Sequence, residues 1–254
     1  MRCRSISLSK PRRFMMDFLT VCSGVPTVPV QRRMKLGAVA AARLAAGRPG
    51  WPSIFLKAYG TVTQRTPVLR RALIKLPWPH LVEYPMSVAS VTVEREYEGE
   101  PAVFFARMGS PAHDSIANLD ELIRGFASKP LNEVKSFRKM LKFARLPSMV
   151  RRACLWLGLN LPRLRAGQFG TFGLSVYSSL GAESLHPLSP MTTTLTYGVI
   201  NPEGEVDVRL IYDHRVLDGA VVARVLADLE QELTGPVLAE LRQLATTRSL
   251  KSAA

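Results

Sequence analysis

Hydrophobic positions along the chain repeat with both helical and strand periods, which predicts a mixed α/β protein. Residues 32–46 are rich in Ala, Leu and Arg, and the Gly-Arg-Pro-Gly segment at residues 47–50 ends this helical pattern. Ser53 is a candidate cap for a second helix. The apolar side of that helix carries Phe55, Leu56, Tyr59 and Val62.

Strand pairs dominate the pattern further along the chain. Residues 87–93 and 101–108 have strand composition and meet at the turn residues 98–100, which predicts a hairpin. Residues 192–200 and 206–212 form a second predicted pair around Asn-Pro-Glu-Gly. Two helices complete the pattern, a short one at residues 119–128 and a later one that ends before Gly-Pro. The later helix has Val222, Val225, Leu226, Leu229 and Leu233 at helical spacing.

The N-terminal stretch differs in composition from the rest of the chain. Residues 1–16 contain five basic residues and several serines but no acidic residue. This composition is typical of an organellar transit peptide, of a disordered tail, or of sequence ahead of a true start at Met15 or Met16. We favour the tail or the later start. We therefore predict a basic, disordered extension over residues 1–28 and one large domain over residues 29–254.

Composition limits the classes of protein that need to be considered. The chain has 254 residues, 47% of them hydrophobic, and a formal net charge of +14, which favours anionic ligands. No run approaches the ~20 apolar residues that a membrane-spanning helix needs. Cys3, Cys22 and Cys154 are too few and too widely spaced for a disulfide framework or a metal site. We expect a cytoplasmic protein, or one in an organelle matrix if residues 1–16 are a transit peptide.

Several enzyme and binding motifs are missing from the sequence. It has no Gly-rich phosphate loop, no G-x-S-x-G elbow and no H-E-x-x-H metal motif, so we expect no bound metal. His80, His113 and His186 lie in Pro-containing loops and are weaker candidates for chemistry. No nucleic-acid-binding motif accompanies the positive charge, so we expect no nucleic-acid partner.

A heptapeptide at residues 213–219 carries the strongest indication of chemistry. It reads Asp-His-Arg-Val-Leu-Asp-Gly and follows directly on a predicted strand. His214 therefore stands at a strand end, beside a turn glycine and near the carboxylate of Asp218. A neutral imidazole in such a place can act as a general base near neutral pH. The plainer interpretation is a strand end with a solvated histidine and a turn aspartate.

The whole heptapeptide resembles the signature of the catalytic domain of the 2-oxo acid dehydrogenase acyltransferases and, more distantly, that of chloramphenicol acetyltransferase. Residues 170–175, Gly-Thr-Phe-Gly-Leu-Ser, resemble the Gly-Thr-Phe-Thr-Ile-Ser segment of the family. Residues 32–34 and 52–58 resemble its opening helix and first long core helix. The similarity implies an α/β fold of the chloramphenicol acetyltransferase type, a two-layer sandwich in which helices cover a mixed β-sheet.

The resemblance also implies which residues do the chemistry. It makes His214 the general base of a coenzyme A-dependent acyl transfer. It makes Ser175 the donor that stabilises the oxyanion of the tetrahedral intermediate, a role typically worth ~3–4 kcal/mol. Ser178 and Ser179 are nearby rivals, because alignment across a glycine-containing segment can slip. An ordinary strand serine is the plainer interpretation of Ser175.

Support for the active-site loop is implied in the same way. In the family the aspartate of the signature holds this loop through an arginine. Asp218 would have that role here, and Arg32 or Arg33 can supply the partner. The remaining residues of the heptapeptide that we expect to shape the loop are Asp213, Arg215 and Gly219.

The sequence departs from the family in three ways. No lipoyl or subunit-binding module precedes residue 32, the segment between Ser175 and His214 is short, and residues 131–165 are inserted before the serine segment. We therefore expect a stand-alone, acyl-CoA-dependent acyltransferase without a covalent lipoyl group and with an unknown acceptor. By resemblance it is a homotrimer, with His214 of one subunit facing Ser175 of its neighbour. The alternatives are a non-catalytic trimeric scaffold and a membrane-peripheral binding protein.

The inserted segment has an amphipathic pattern that supports the membrane alternative. Val134, Phe137, Leu141 and Ala144, joined by Met140, share one face of a helical wheel. Five basic residues occupy the other face: Lys135, Arg138, Lys139, Lys142 and Arg145. A basic helix followed by the apolar segment around Trp156 is typical of a helix bound at an anionic membrane surface. The plainer interpretation is a core helix with a solvated basic face.

Overall fold

The fold was obtained as a computed structural model, which describes residues 3–253. Met1 and Arg2 lie outside the described residues, as does that part of the predicted N-terminal extension. The strands are β1 Thr27–Lys35, β2 Arg71–Ile74, β3 His80–Glu83, β4 Val88–Tyr97, β5 Glu100–Gly109, β6 Phe172–Leu174, β7 Thr193–Tyr197 and β8 Glu205–Asp213. The helices are α1 Lys10–Cys22, α2 Gly37–Ala45, α3 Trp51–Arg65, α4 Ile116–Ser128, α5 Lys135–Phe143, α6 Ser148–Asn160, α7 Pro162–Gln168, α8 Gly219–Glu232 and α9 Leu238–Ala253.

Six strands form one mixed sheet in the order β1-β8-β7-β6-β4-β5. Strand β6 runs parallel to both of its neighbours, and the other pairs are antiparallel. Strands β2 and β3 form a separate two-stranded sheet. The predicted α/β class with a mixed sheet covered by helices is confirmed.

The main core lies between one face of the sheet and the helices that cover it. Tyr59 of α3 packs edge-on against Phe172 of β6, and its hydroxyl donates a 2.8 Å hydrogen bond to Thr193 of β7. Phe55 of α3 stacks on Tyr197 with 4.1 Å between ring centroids. The apolar side of α3 predicted from the sequence is therefore the side that packs on the middle of the sheet.

The β4–β5 hairpin forms at the predicted place. Its turn residues Glu98 and Gly99 have φ angles of 53° and 81°. Positive φ at both central residues matches the right-handed twist of the flanking strands, and glycine adopts it without steric cost.

The predicted opening helix at residues 32–46 is wrong in its first part. Residues 27–35 form strand β1, which pairs with β8 over its whole length, and the helix begins only at Gly37. Arg32 and Arg33 have good intrinsic helix propensity. The backbone hydrogen bonds that β1 makes to the sheet edge outweigh that local preference.

The predicted disorder of residues 1–28 is wrong for α1. Its side chains Phe14, Phe18 and Cys22 are buried in the core. Asp17 is 2% exposed and forms ion pairs with Arg151 at 2.6 Å and Arg152 at 2.7 Å, both on α6. Helix α1 is therefore fixed to the inserted helices by apolar contacts and by a buried ion pair.

The insertion at residues 131–165 contains α5, α6 and the start of α7. Helix α5 lies along the edge strand β5, where Phe137 is fully buried and contacts Phe104 with 4.9 Å between ring centroids. Because Val134, Met140 and Ala144 are also buried, the apolar face of α5 belongs to the core and is not available for a membrane. The five basic side chains on the other face are exposed, as in the plainer interpretation.

Hydropathy gives no sign of a span in the described part of the chain. Between residues 3 and 253, each helix is too short or too polar to cross a bilayer.

Candidate active site

His214 is the first residue after strand β8, at the end of the sheet where β7 begins. Its backbone amide donates a 3.1 Å hydrogen bond to the carbonyl of Pro26, just before β1. Pairing of Thr27 with Asp213 and of Tyr212 with Thr193 fixes the strand on either side. The sheet therefore sets the position of the His214 backbone, and the ring extends beyond the strand end.

The geometry of the His214 ring suits a general base. Nδ1 lies 3.1 Å from the backbone carbonyl of Leu217. Since a carbonyl only accepts hydrogen bonds, the neutral ring carries its proton on Nδ1, and Nε2 keeps a free lone pair. The side chain is 50% exposed, so Nε2 can be reached by a reactant.

Asp213 and Arg215 brace the turn that holds this histidine. The carboxylate of Asp213 is fully buried and accepts hydrogen bonds from Arg215 Nε and Nη2, each at 2.8 Å, and from the Arg215 backbone amide. Arg215 also contacts the carbonyl of Gly24 ahead of β1. A bidentate pair with a buried acceptor holds the backbone on both sides of His214 in one geometry.

Asp218 and Gly219 start helix α8. Asp218 occupies the N-cap position, but its side chain makes no capping hydrogen bond and is 86% exposed. Its carboxylate lies 3.9 Å from His214 Nδ1. A Cβ on Gly219 would come within 3.3 Å of the Tyr212 hydroxyl, so glycine lets this tyrosine pack close to the helix start.

The expected arginine partner of Asp218 is absent from the described residues. Arg32 pairs with Glu230 of α8 at 2.7 Å, and Arg33 pairs with Asp207 at 3.0 Å. Asp207 is the cross-strand neighbour of Arg33, so the strand conformation of residues 32–33 directs that arginine away from the active-site loop. Both arginines brace β1 instead.

Ser175 follows β6 directly. Its backbone amide donates a 3.1 Å hydrogen bond to Leu195 of β7, and the residue is 6% exposed. The chain enters β6 through a tight turn at Gly170, whose φ is +97°. Glycine is needed there, because a Cβ would lie 2.8 Å from the Val88 carbonyl oxygen. Ser178 lies beyond the strand in a short 3₁₀ turn, and Ser179 is exposed.

Within one chain, Ser175 and His214 lie at different levels of the sheet, because Ser175 is level with the middle of β8 and His214 follows the end of β8. Leu174 is level with Leu195 and Leu210, whereas Tyr212 is level with Thr193 at the start of β7. Ser175 is level with a residue of β8 that lies five positions before His214. Five residues of extended strand span about 16 Å. Their strands are two spacings apart, with β7 alone between them, which adds about 10 Å sideways. The two side chains therefore cannot act on one substrate from the same chain.

The surroundings of His214 are not evident from the local sequence. The segment after Ser175 returns across the sheet and brings His186 to this end, where its ring nitrogen Nε2 lies 2.8 Å from the Thr27 hydroxyl. Arg209 of β8 holds the same segment through a 2.9 Å ion pair with Glu183. His186 comes to this end of the sheet through Thr27, which pairing of β1 with β8 places opposite Asp213.

Comparisons with solved structures identify the fold. Dihydrolipoamide acetyltransferase of Azotobacter vinelandii superposes with a TM-score of 0.68 at 16% identity, over 94% of each chain. The truncated catalytic core of the 2-oxoacid dehydrogenase multienzyme complex of Thermoplasma acidophilum gives 0.67 at 16% identity, over 92% of this chain and 99% of that one. The chain has the fold of these acyltransferase cores.

Chloramphenicol acetyltransferase shares this acyltransferase-core fold more distantly, with a TM-score of 0.50 at 15% identity over 89% of this chain and 96% of that one. The resemblance inferred from the heptapeptide is thus confirmed at the level of the fold. No protein-family model matches the sequence, and no curated protein matches it significantly. Among residues 3–253, no group of three or more His, Cys, Asp or Glu side chains is placed to hold a metal ion.

Proposed function

We propose that the protein is a coenzyme A-dependent acyltransferase in which His214 is the general base. The observation that supports this most directly is the 3.1 Å contact between His214 Nδ1 and the Leu217 carbonyl, which leaves Nε2 free as the base. The neighbour from Azotobacter has been studied for the catalytic roles of a serine, a histidine and an asparagine, and its histidine and asparagine are four positions apart. His214 and Asp218 have the same spacing.

The reaction balances with these groups alone. Nε2 of His214 takes the proton from the acceptor thiol, hydroxyl or amine as that group attacks the thioester carbonyl. Ser175 of a neighbouring copy donates a hydrogen bond to the resulting oxyanion. The intermediate collapses, the bond to the coenzyme A sulfur breaks, and the imidazolium returns its proton to the departing thiolate. Coenzyme A and the acylated acceptor are the products.

The split between Ser175 and His214 favours a trimer. Because one chain holds them about 16 Å apart along its strands, a joint site needs a second copy. The Thermoplasma neighbour is itself a core of a multienzyme complex. A cavity of about 720 Å³ beside the end of β6 gives room for a substrate at that boundary. Val176, Tyr177 and Ser179 line the cavity, whereas Ser175 does not.

The test is release of coenzyme A from a panel of acyl-CoA donors with thiol, hydroxyl and amine acceptors. Mass spectrometry of both products avoids interference from the protein's own thiols. Turnover that depends on protein and on acceptor supports the proposal. A full panel without turnover, on protein shown to be folded and oligomeric, would instead favour a non-catalytic scaffold. The acceptor is unknown, and no covalent lipoyl group takes part in the proposed reaction.

A second candidate function is peripheral binding to an anionic membrane. Since the apolar face of α5 is buried, insertion would have to come from α6, which exposes Met149, Val150, Trp156 and Leu157. The basic face of α5, the helix that precedes α6 in the chain, is exposed to solvent.

We place the protein in the cytoplasm, where its three free cysteines would stay reduced, with an organelle matrix as the alternative.

A further inference from the structure

The inserted helices and α1 line an apolar cavity, open to solvent, on the face of the sheet opposite the main core. Its volume is about 350 Å³, within the range of sites for small organic ligands. Five phenyl rings line it beside other apolar side chains: Phe14, Phe18, Phe105, Phe143 and Phe169. Because this cavity is open to solvent and exposes contiguous apolar surface, it is a candidate site for an apolar ligand group.

One end of this cavity adjoins a more polar cleft of about 700 Å³. Arg107, Ser136 and Lys139 line both spaces. Asp114, Glu121 and Glu133 line the cleft as well, but none of them lines the apolar cavity. Positive charge therefore marks the boundary between the apolar and the polar space.

The two cations at this boundary are not neutralised. In the described residues neither Arg107 nor Lys139 forms an ion pair, and Arg107 donates only to the carbonyl of Gln168. Burial lowers the pKa of Arg107 below its usual value, as expected for a guanidinium that is partly withdrawn from water. A half-buried guanidinium without a counter-ion is costly, and an anionic ligand group would offset that cost, whereas Lys139 is exposed and adds its charge.

We propose that this cavity binds a single-chain fatty carboxylate, with the alkyl chain among the phenyl rings and the carboxylate between Arg107 and Lys139. The walls come mainly from α1, β5 and the inserted helices, completed by Ser90, Pro190 and Met191, and His214, Ser175 and the signature loop line neither space. The site is thus separate from the proposed catalytic centre. The inference does not rest on acyl transfer, and binding is measured without turnover.

Cys154 offers a direct reporter, because it is exposed and lines the cavity. Burial raises the pKa of Cys22 to about 12, which keeps that thiol unreactive. In a Cys3→Ser variant of the full chain, Cys154 is then the thiol that a maleimide labels, and the rate is followed by mass spectrometry. Laurate below its micellar concentration should slow labelling at least ~tenfold at saturation. Dodecanol and dodecylamine have the same chain without the negative charge and should protect far less.

Two pairs of variants locate the ligand. Leu164→Trp should fill the cavity and abolish protection, whereas Leu161→Trp, at an exposed position outside it, should not. Arg107→Gln or Lys139→Gln should weaken laurate binding by about tenfold, the usual loss for a charge-assisted hydrogen bond. Lys142→Gln, on the same helix and outside both spaces, is the matched control.

Circular dichroism and the thermal midpoint confirm that each variant is folded before it is used. If laurate gave no protection, or protected the Leu164→Trp variant as well as its control, the site would be refuted. Equal protection by laurate and dodecanol would refute the role of Arg107 and Lys139. Either failure leaves the proposed acyl transfer untouched.

Discussion

His214 and Ser175 leave the same sheet at different levels, His214 after the end of β8 and Ser175 after β6, level with the middle of β8. About 16 Å of strand separates their levels. Each residue is held by a backbone hydrogen bond, His214 to Pro26 and Ser175 to Leu195, so the separation is a property of the sheet. Any reaction that uses both side chains must join two copies of the chain.

Replacing the base should abolish transfer. We expect His214→Ala to remove turnover while fold and assembly are kept, because the ring extends beyond the strand end into solvent. His80→Ala is the matched control, since His80 lies in the separate two-stranded sheet. Coenzyme A release is the measurement. Near-normal activity of His214→Ala with a proven donor and acceptor would show that the base is another group.

The oxyanion donor should affect turnover more than binding. We expect Ser175→Ala to lower turnover by ~10²–10³-fold with little change in coenzyme A affinity. Ser179→Ala is the comparison, because Ser179 lines the adjacent cavity and is the rival donor. A larger loss in the Ser179 variant would transfer the role to that residue.

Assembly can be tested by complementation. We expect a trimer in light scattering, and inactive His214→Ala chains mixed with inactive Ser175→Ala chains should regain partial activity after subunit exchange. The reason is that some boundaries in the mixed trimer carry an intact histidine opposite an intact serine. A fully active monomer contradicts this arrangement.

The Asp218 side chain makes no hydrogen bond in the described residues, so it can act through its charge or through a hydrogen bond to a bound reactant or a neighbouring copy. Its carboxylate lies 3.9 Å from His214 Nδ1 and has neither Arg32 nor Arg33 as a partner. We therefore expect Asp218→Asn, which keeps an acceptor oxygen, to retain most of the turnover, and Asp218→Ala to lose at least ~tenfold. If the Asn variant were as inactive as the Ala variant, the charge of Asp218 would be the essential property.

The N-terminal helix should contribute to acid-sensitive stability. Burial alone would raise the pKa of Asp17, but hydrogen bonds from Arg152, Ser148 and Arg151 outweigh it and lower the pKa. An acid with a depressed pKa stabilises the fold above its unfolded pKa of ~4, and this contribution is lost as pH falls through the folded value.

Asp17→Asn should therefore lower the free energy of unfolding by about 3 kcal/mol at neutral pH, because Arg151 is left buried without its counter-ion. The difference from the wild type should shrink below pH ~4. Asp228→Asn, at an exposed position on α8, is the control in urea unfolding. Equal stability of the two variants at neutral pH would mean that α1 is not docked as described.

Membrane binding is checked by liposome co-sedimentation. Binding should require anionic lipid, weaken with salt, and fall when Arg138, Lys142 and Arg145 are changed to Glu, since each basic residue near the surface contributes ~1 kcal/mol. Trp156→Ser should weaken it further, whereas Phe137 is buried and does not insert. Failure to bind anionic liposomes at low salt would leave α5 as a core helix with a solvated basic face.

The sequence by itself determined the elements whose local pattern and turn chemistry agree with the fold. The β4–β5 hairpin, helix α8 and the strand that ends at His214 are where the pattern predicted them. The heptapeptide also indicated the acyltransferase fold, through its resemblance to the signature of that family.

Only the tertiary structure decided the features that depend on distant residues. Residues 27–35 form a strand because their backbone pairs with β8. Helix α1 packs on the domain because Asp17 forms an ion pair with Arg151, more than a hundred residues later in the chain. The partners of Arg32 and Arg33 follow from that strand register. The separation of Ser175 from His214 likewise follows from strand order and direction, which the period of a single strand does not encode.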